Sequence, residues 1–211
     1  MVDLTVRERI AAMTAECLDD GTFVNVGIGI PGLVPHHVPD QRGIVFHAEH
    51  GVVGFGSDRF GPTDSPVLDF FGTTYRIRPG GFIGDHTRSF ALVRSGRLDV
   101  TILGAFEVDA AGGMANFQTA EMSSGCPGGS PELAGAARRV IVALEHTDKQ
   151  GRPRLVQHSD LPIGPARPAS MVVTELGWFV PRGDAFEAER LADGVTPDVV
   201  LDRTAAQVFF P

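Results

Sequence analysis

The chain has 211 residues, enough for one sizeable core, and its 43% hydrophobic and 21% charged residues argue against a disordered chain. A formal net charge of −8 sets aside a general nucleic-acid binder and a binder of anionic membrane surfaces. It does not set aside an anionic cofactor held by backbone amides or by a partner chain.

The N-terminal segment MVDLTVRERIAAM lacks the apolar core of a signal peptide, and no apolar run reaches the length of a membrane span. Two cysteines, Cys17 and Cys126, are too few for a disulfide framework and have no zinc spacing, so a reducing cytoplasm is the simple reading. Thr5 to Asp20 reads as a helix: Thr5 and Glu8 form a capping-box pattern, Val6, Ile10, Met13 and Cys17 share one face, and Gly21 stops it. Cys17 then reads as a small buried hydrophobe. Phe23 to Val26 is a short strand running into Gly27-Ile-Gly-Ile-Pro-Gly32, with a helix opening near Pro31. That geometry resembles a phosphate loop, although glycines at this spacing more often serve tight turns.

Ile44 to Ala48 reads as the next strand, ending at Glu49-His50-Gly51. Gly56 to Gly72 is polar and turn-rich, a surface excursion. Asp85 caps a helix through Arg94, with Gly96 as its stop. Leu98 to Leu103 and Arg139 to Leu144 are apolar strands, the second as expected at the centre of a covered parallel sheet. Met171–Thr174 and Trp178–Val180 form a hairpin or two consecutive strands, and Thr196-Pro197 opens a last helix. Strands alternating with helices predict an α/β fold: a single domain with a mostly parallel central sheet flanked by helices. The Gly/Pro-rich stretch 162–168 is a loop inside that domain.

In open α/β sheets, ligands bind beyond the carboxyl ends of the strands, and Glu49 stands at such an end. A carboxylate there serves as base or nucleophile, yet by local pattern alone it reads as a solvated strand-end glutamate. His47 and His50 bracket it. Residues 47 and 49 share a strand face, so at most one His converges with Glu49, and no metal is expected even with His36, His37 and His86 counted. His50 reads as an acid/base or supporting group. Ser124-Gly-Cys126-Pro-Gly-Gly129 reads either as an oxyanion pocket or as a simple turn. The bare G-x-G-x-x-G at residues 27–32 lacks a Rossmann context.

Asn25-Val-Gly-Ile-Gly-Ile-Pro31 resembles the N-L-G-I-G-I-P segment of β subunits of the class I CoA transferases, the succinyl-CoA:3-oxoacid and acetoacetate group. Ala48-Glu49-His50-Gly51 takes the place of their S-E-N-G, and V-V-G-F-G that of I-L-G-x-G. Ser89 to Gly96 resembles S-F-A-M-I-R-G-G, Leu98 to Ala105 resembles V-D-L-T-I-L-G-A, and Val140 to His146 resembles V-I-V-x-M-E-H. Val108-Asp109, Ala115-Asn116-Phe117 and Gly128-Gly129 echo Q-V-D, A-N-W and G-M-G-G. These blocks run in order along nearly the whole chain. The departures gather around Glu49: His50 for Asn, Ala48 for Ser, Gln118 to Cys126 in place of a P-G-K stretch, and Thr73 where many relatives have Lys.

The resemblance implies one CoA transferase β-subunit-like domain over residues 1–211. Glu49 is then the catalytic nucleophile, with His50 beside it. Gly51, Gly128, Gly129 and Asn116 form the oxyanion and CoA-binding surface, and Cys126, Asn25, Gly27 and Gly29 are possible additions. It implies coenzyme A thioesters as substrates, no tightly bound cofactor and an α-subunit partner in an αβ or α2β2 assembly. Net charge and the lack of a spanning run leave no nucleic acid or membrane partner expected, and cysteine usage points to a cytoplasmic location. Two alternatives stay open. One is an acyl-CoA decarboxylase, hydrolase or lyase on the same scaffold, using Glu49 as a base with His50 or Cys126 as acid/base. The other is a non-catalytic ligand-binding regulator, which 211 residues leave little room to complete.

Overall fold

A computed structural model describes residues 4–56, 67–68 and 74–211. Most of the stretch 57–72, with Thr73, lies outside the described residues. In chain order the elements are α1 (Val6–Glu16), β1 (Phe23–Val26), α2 (Ile30–Leu33), β2 (Val45–Ala48), β3 (Val52–Phe55), β4 (Val67–Leu68), β5 (Thr74–Tyr75) and β6 (Ile77–Ile83). Then follow α3 (His86–Leu92), β7 (Val100–Leu103), β8 (Glu107–Asp109), β9 (Met114–Ala115), α4 (Ser130–Ala136) and β10 (Arg139–Ala143). The last are β11 (Leu155–Val156), β12 (Met171–Thr174), β13 (Gly177–Pro181), β14 (Phe186–Leu191), α5 (Pro197–Arg203) and β15 (Val208–Phe209).

Among the described residues, ten strands form one sheet in the order β15-β14-β13-β12-β10-β7-β1-β2-β3-β6. Its centre, β12-β10-β7-β1-β2, is parallel throughout, as the apolar runs of these strands require when both faces are covered. Antiparallel strands extend it at both sides, β13 and β14 at one and β3 and β6 at the other. One face carries Val24, Val26, Phe46, Ala48, Val100 and Ile102 against α1 and the segment around Val34. The other carries Leu103, Val140, Val142 and Val172 against α3, α4 and α5. The expected α/β architecture with a mostly parallel central sheet is the one observed.

Helix α1 begins as read: Thr5 Oγ1 accepts from the Glu8 amide at 3.3 Å, and Glu8 accepts from the Thr5 amide at 3.0 Å. It ends earlier than its periodicity suggests, at Glu16, because Arg42 reaches across to the freed carbonyls. Its Nη1 donates to Ala15 O at 2.9 Å and its Nη2 to Leu18 O. The buried face is also rotated, to Ile10, Ala11, Thr14 and Ala15, leaving Val6 exposed and Cys17 half-buried. The Cys17 thiol donates toward Met13 O, and burial pushes it up to about 11, so it is an inert packing group. The capping residue before α3 is Asp85, whose carboxylate accepts from the Arg88 amide at 2.8 Å. That helix continues as a wider turn over Val93–Arg97, closed by Gly96 at φ 75°. Before α5, Thr196 holds the cap position without a side-chain capping bond.

Candidate active site

The carboxyl ends of β1, β2 and β7 lie side by side, and the site is built there. The register pairs Asn25 with His47 on one side and with Thr101 on the other. Three polar side chains therefore form one row across adjacent strands, on the face that α3 covers, and all three are fully buried. Burial makes unpaired polar groups costly, and here each finds a partner. Thr101 Oγ1 donates to Asn25 Oδ1 at 2.9 Å. Asn25 Nδ2 donates to His47 Nδ1 at 3.0 Å and to His47 O at 3.3 Å. His47 Nε2 lies 2.8 Å from Ser89 Oγ, and Ser89 Oγ donates to the backbone carbonyl of Glu49 at 2.7 Å. Burial, and next the charge of nearby His50, hold the His47 imidazole down at about 4, so it is neutral near pH 7.

Glu49 follows β2 immediately and is half-buried. Its backbone turns because Gly51 takes φ 115°, a conformation that favours glycine. The Gly51 amide donates to Ala48 O at 2.9 Å, and its carbonyl accepts from the Gly84 amide at 2.8 Å. The Glu49 carboxylate rests on Gly129. A β-carbon at residue 129 would lie 3.2 Å from Glu49 Cδ, closer still to Oε2, and 2.7 Å from the Phe90 ring. Gly129 is thus the floor under the carboxylate, and Phe90, one residue after Ser89, packs beneath that floor. Helix α3 holds both the backbone and, through Gly129, the side chain of Glu49.

The structure brings Gly51 and Gly129 to Glu49, and Asn25 joins it only through His47 and Ser89. His50 is exposed beside it. Gly128 precedes Gly129 at φ 56° with open space where a β-carbon would stand. Asn116 lies against Gly164 with its buried Oδ1 without a hydrogen-bond partner among the described residues. Cys126 is exposed. Its loop folds onto Phe117 and Gln118 through Gly125, where a β-carbon would lie 2.8 Å from Gln118 Cβ. Gly27 serves the sheet: its amide donates to Ile102 O at 2.8 Å. Gly29, at φ 79°, starts the four-residue α2.

Among the described residues, no cluster of three or more His, Cys, Asp or Glu is placed to hold a metal. His47 is engaged through both ring nitrogens. No helix among them is long and apolar enough to cross a membrane. Sequence alone does not single out Ser89 and offers His47 only as a metal ligand, whereas the structure joins both to the Glu49 backbone. A histidine between Phe46 and Ala48 in an otherwise apolar strand was the available signal.

The chain matches the family model described as Coenzyme A transferase over residues 7–204. It is 36% identical over 203 residues to the beta chain of the probable coenzyme A transferase of Bacillus subtilis, covering 96% of this chain and 94% of that protein. It is 32% identical over 203 residues to the matching subunit of the succinyl-CoA:3-ketoacid coenzyme A transferase of Helicobacter pylori J99, covering 96% and 98% of the two chains. A crystal structure of the acyl-CoA transferase YdiF from Escherichia coli O157:H7, as apoenzyme, superposes with a TM-score of 0.74 at 18% identity. All of this chain is covered, and it spans 43% of that larger chain.

Proposed function

The chain belongs to the coenzyme A transferase family, and from that premise we propose that it is the β subunit of a heteromeric enzyme that moves CoA between an acyl-CoA and a carboxylic acid through Glu49. The observation that carries this reading is the seating of the Glu49 carboxylate on Gly129 at the carboxyl end of β2, in the crevice where open α/β sheets bind ligands. Relatives named as subunits imply a partner, which supports an active site completed by an α subunit.

The reaction runs in two mirrored halves. A Glu49 carboxylate oxygen attacks the acyl-CoA carbonyl, the C–S bond breaks, and CoA leaves as thiolate, giving an acyl–glutamyl anhydride. The thiolate attacks the glutamyl carbonyl, the anhydride C–O bond breaks, and the first acid departs as carboxylate. A second carboxylate attacks the glutamyl-CoA thioester, and the released thiolate takes its acyl group. Glu49 is restored, and one thioester has been exchanged for another without ATP. Amides at Gly128 and Gly129 are the candidates to stabilise the oxyanions, each worth about 3 kcal/mol in such sites. A carboxylate is a weak nucleophile, so binding of the remote part of CoA supplies energy used in the transition state.

The test is acceptor dependence. This chain, assembled with its α partner, is given acyl-CoAs with and without carboxylic acids. Transfer requires the acid and gives parallel double-reciprocal lines. Steady consumption of acyl-CoA without an acceptor, with release of carbon dioxide or free acid, sinks transfer in favour of decarboxylation or hydrolysis.

A further inference from the structure

The row that ends on Glu49 has a fixed direction. A side-chain amide nitrogen only donates, so His47 Nδ1, 3.0 Å from Asn25 Nδ2, must accept. The orientation of the amide is itself fixed, because the same Nδ2 faces the His47 carbonyl at 3.3 Å, which can only accept, and Oδ1 is left to accept from Thr101 at 2.9 Å. A neutral imidazole that accepts at Nδ1 carries its proton on Nε2 and donates there, to Ser89 Oγ at 2.8 Å. The Ser89 hydroxyl proton then has one remaining destination in this row, Glu49 O at 2.7 Å. Every bond from Thr101 to Glu49 points the same way, and such chains strengthen each member by polarisation.

The row is also buried without a gap. Thr101, Asn25 and His47 are fully buried and Ser89 is 2% exposed. Apolar side chains fill the equivalent rows of these strands, such as Val26, Ala48 and Ile102 on the opposite face. A polar row at this depth does not add hydrophobic stability. What it does is deliver one oriented hydroxyl to one carbonyl, that of Glu49.

We propose that Ser89 is a positioning residue for Glu49: oriented by Thr101, Asn25 and His47, its hydroxyl fixes the Glu49 peptide and so aims the carboxylate that rests on Gly129. This rests on the reading of Glu49 as nucleophile. Ser89 and Phe90 are consecutive on α3, so one helix sets the peptide by a hydrogen bond and braces Gly129 by packing. The hydroxyl touches no reacting atom. Its loss leaves CoA binding in place and lets the carboxylate wander from its attack geometry, where small misplacements are costly in rate.

The experiment measures, in the complete complex, the rate constant and amplitude of CoA-thioester formation on this chain after rapid mixing with acyl-CoA, together with KM. Ser89→Ala is expected to form the adduct about tenfold more slowly, at full amplitude and with KM within about twofold. Thr101→Val, isosteric and distant from Glu49, is expected to slow it about threefold at full amplitude. A merely structural role lowers the amplitude by removing folded enzyme and leaves the rate constant alone, and that result in both variants overturns the proposal. Rate constants equal to wild type in both variants also overturn it. If wild type itself forms no adduct on Glu49, the nucleophile reading falls first, and that result is distinct from either of these.

Discussion

Replacing Gly129 by alanine puts one methyl group where the Glu49 carboxylate and the Phe90 ring already meet. The backbone accepts it, since φ −82° and ψ −8° suit any residue. The new carbon would stand 2.7 Å from Phe90 Cζ and 3.2 Å from Glu49 Cδ, with Oε2 nearer than either. Ordinary contact requires the carboxylate to retreat by about 1 Å, and the buried ring to yield as well. Overpacking of this kind costs roughly 1–3 kcal/mol of stability. A displacement of about 1 Å at a reacting group costs about 100-fold in rate. Gly129→Ala is therefore expected to fold, to melt a few degrees lower and to lose about two orders of magnitude in kcat. Thermal melts and steady-state transfer by the complete complex measure the two effects separately. Full activity in a folded Gly129→Ala enzyme would refute the claim that Glu49 works from its seat on Gly129.

Two buried histidines make stability depend on acid. Burial, then His50, lowers His47 to about 4, and burial, then Arg203, lowers His146 to about 4. The unfolded chain binds these protons and the folded chain resists them, so their stabilisation is complete above about pH 6.5 and is lost as pH falls toward 4. Near pH 5 each contributes about 1.4 kcal/mol per pH unit to the slope of unfolding free energy. Urea melts across that window should show a slope smaller by one proton in His146→Gln, and equal slopes would contradict the reading. His146 is held by Thr174 and Thr204 at 2.9 Å each, so the same variant should loosen α5 from the sheet, seen as faster amide exchange there. Cys126→Ser should keep turnover within about twofold, because the exposed thiol has no hydrogen-bond or ion-pair partner among the described residues to activate it; a tenfold loss would restore Cys126 as an acid/base group.

Local signals are legible where their partners lie close in sequence. The Thr5–Glu8 capping box, the Asp85 cap and the turn at Gly51 are each readable within a few residues and are each present. The end of α1 is not, since its carbonyls are satisfied by Arg42 from 27 residues away. The last turn that periodicity extends to Asp20 is instead unwound around that guanidinium. The same distinction separates Glu49 from its supports. A carboxylate after an apolar strand and before a glycine marks itself. His47 does not, because its partners Asn25 and Ser89, and Thr101 beyond Asn25, come from two other strands and a helix, and only parallel pairing brings the strand residues into one row. A strand continued through residue 49 would put His47 and Glu49 on one face. In the structure the strand ends at Ala48, and the two side chains have separate duties: His47 inward toward Ser89, Glu49 over Gly129.

The most direct test of the account is the covalent state of this chain during turnover. The complete complex is incubated with a panel of acyl-CoAs, trapped with borohydride or hydroxylamine, and read by intact-mass and peptide mass spectrometry. The expected result is a CoA thioester that maps to Glu49 and is absent from Glu49→Ala. Consumption of acyl-CoA with no adduct on Glu49 would contradict it.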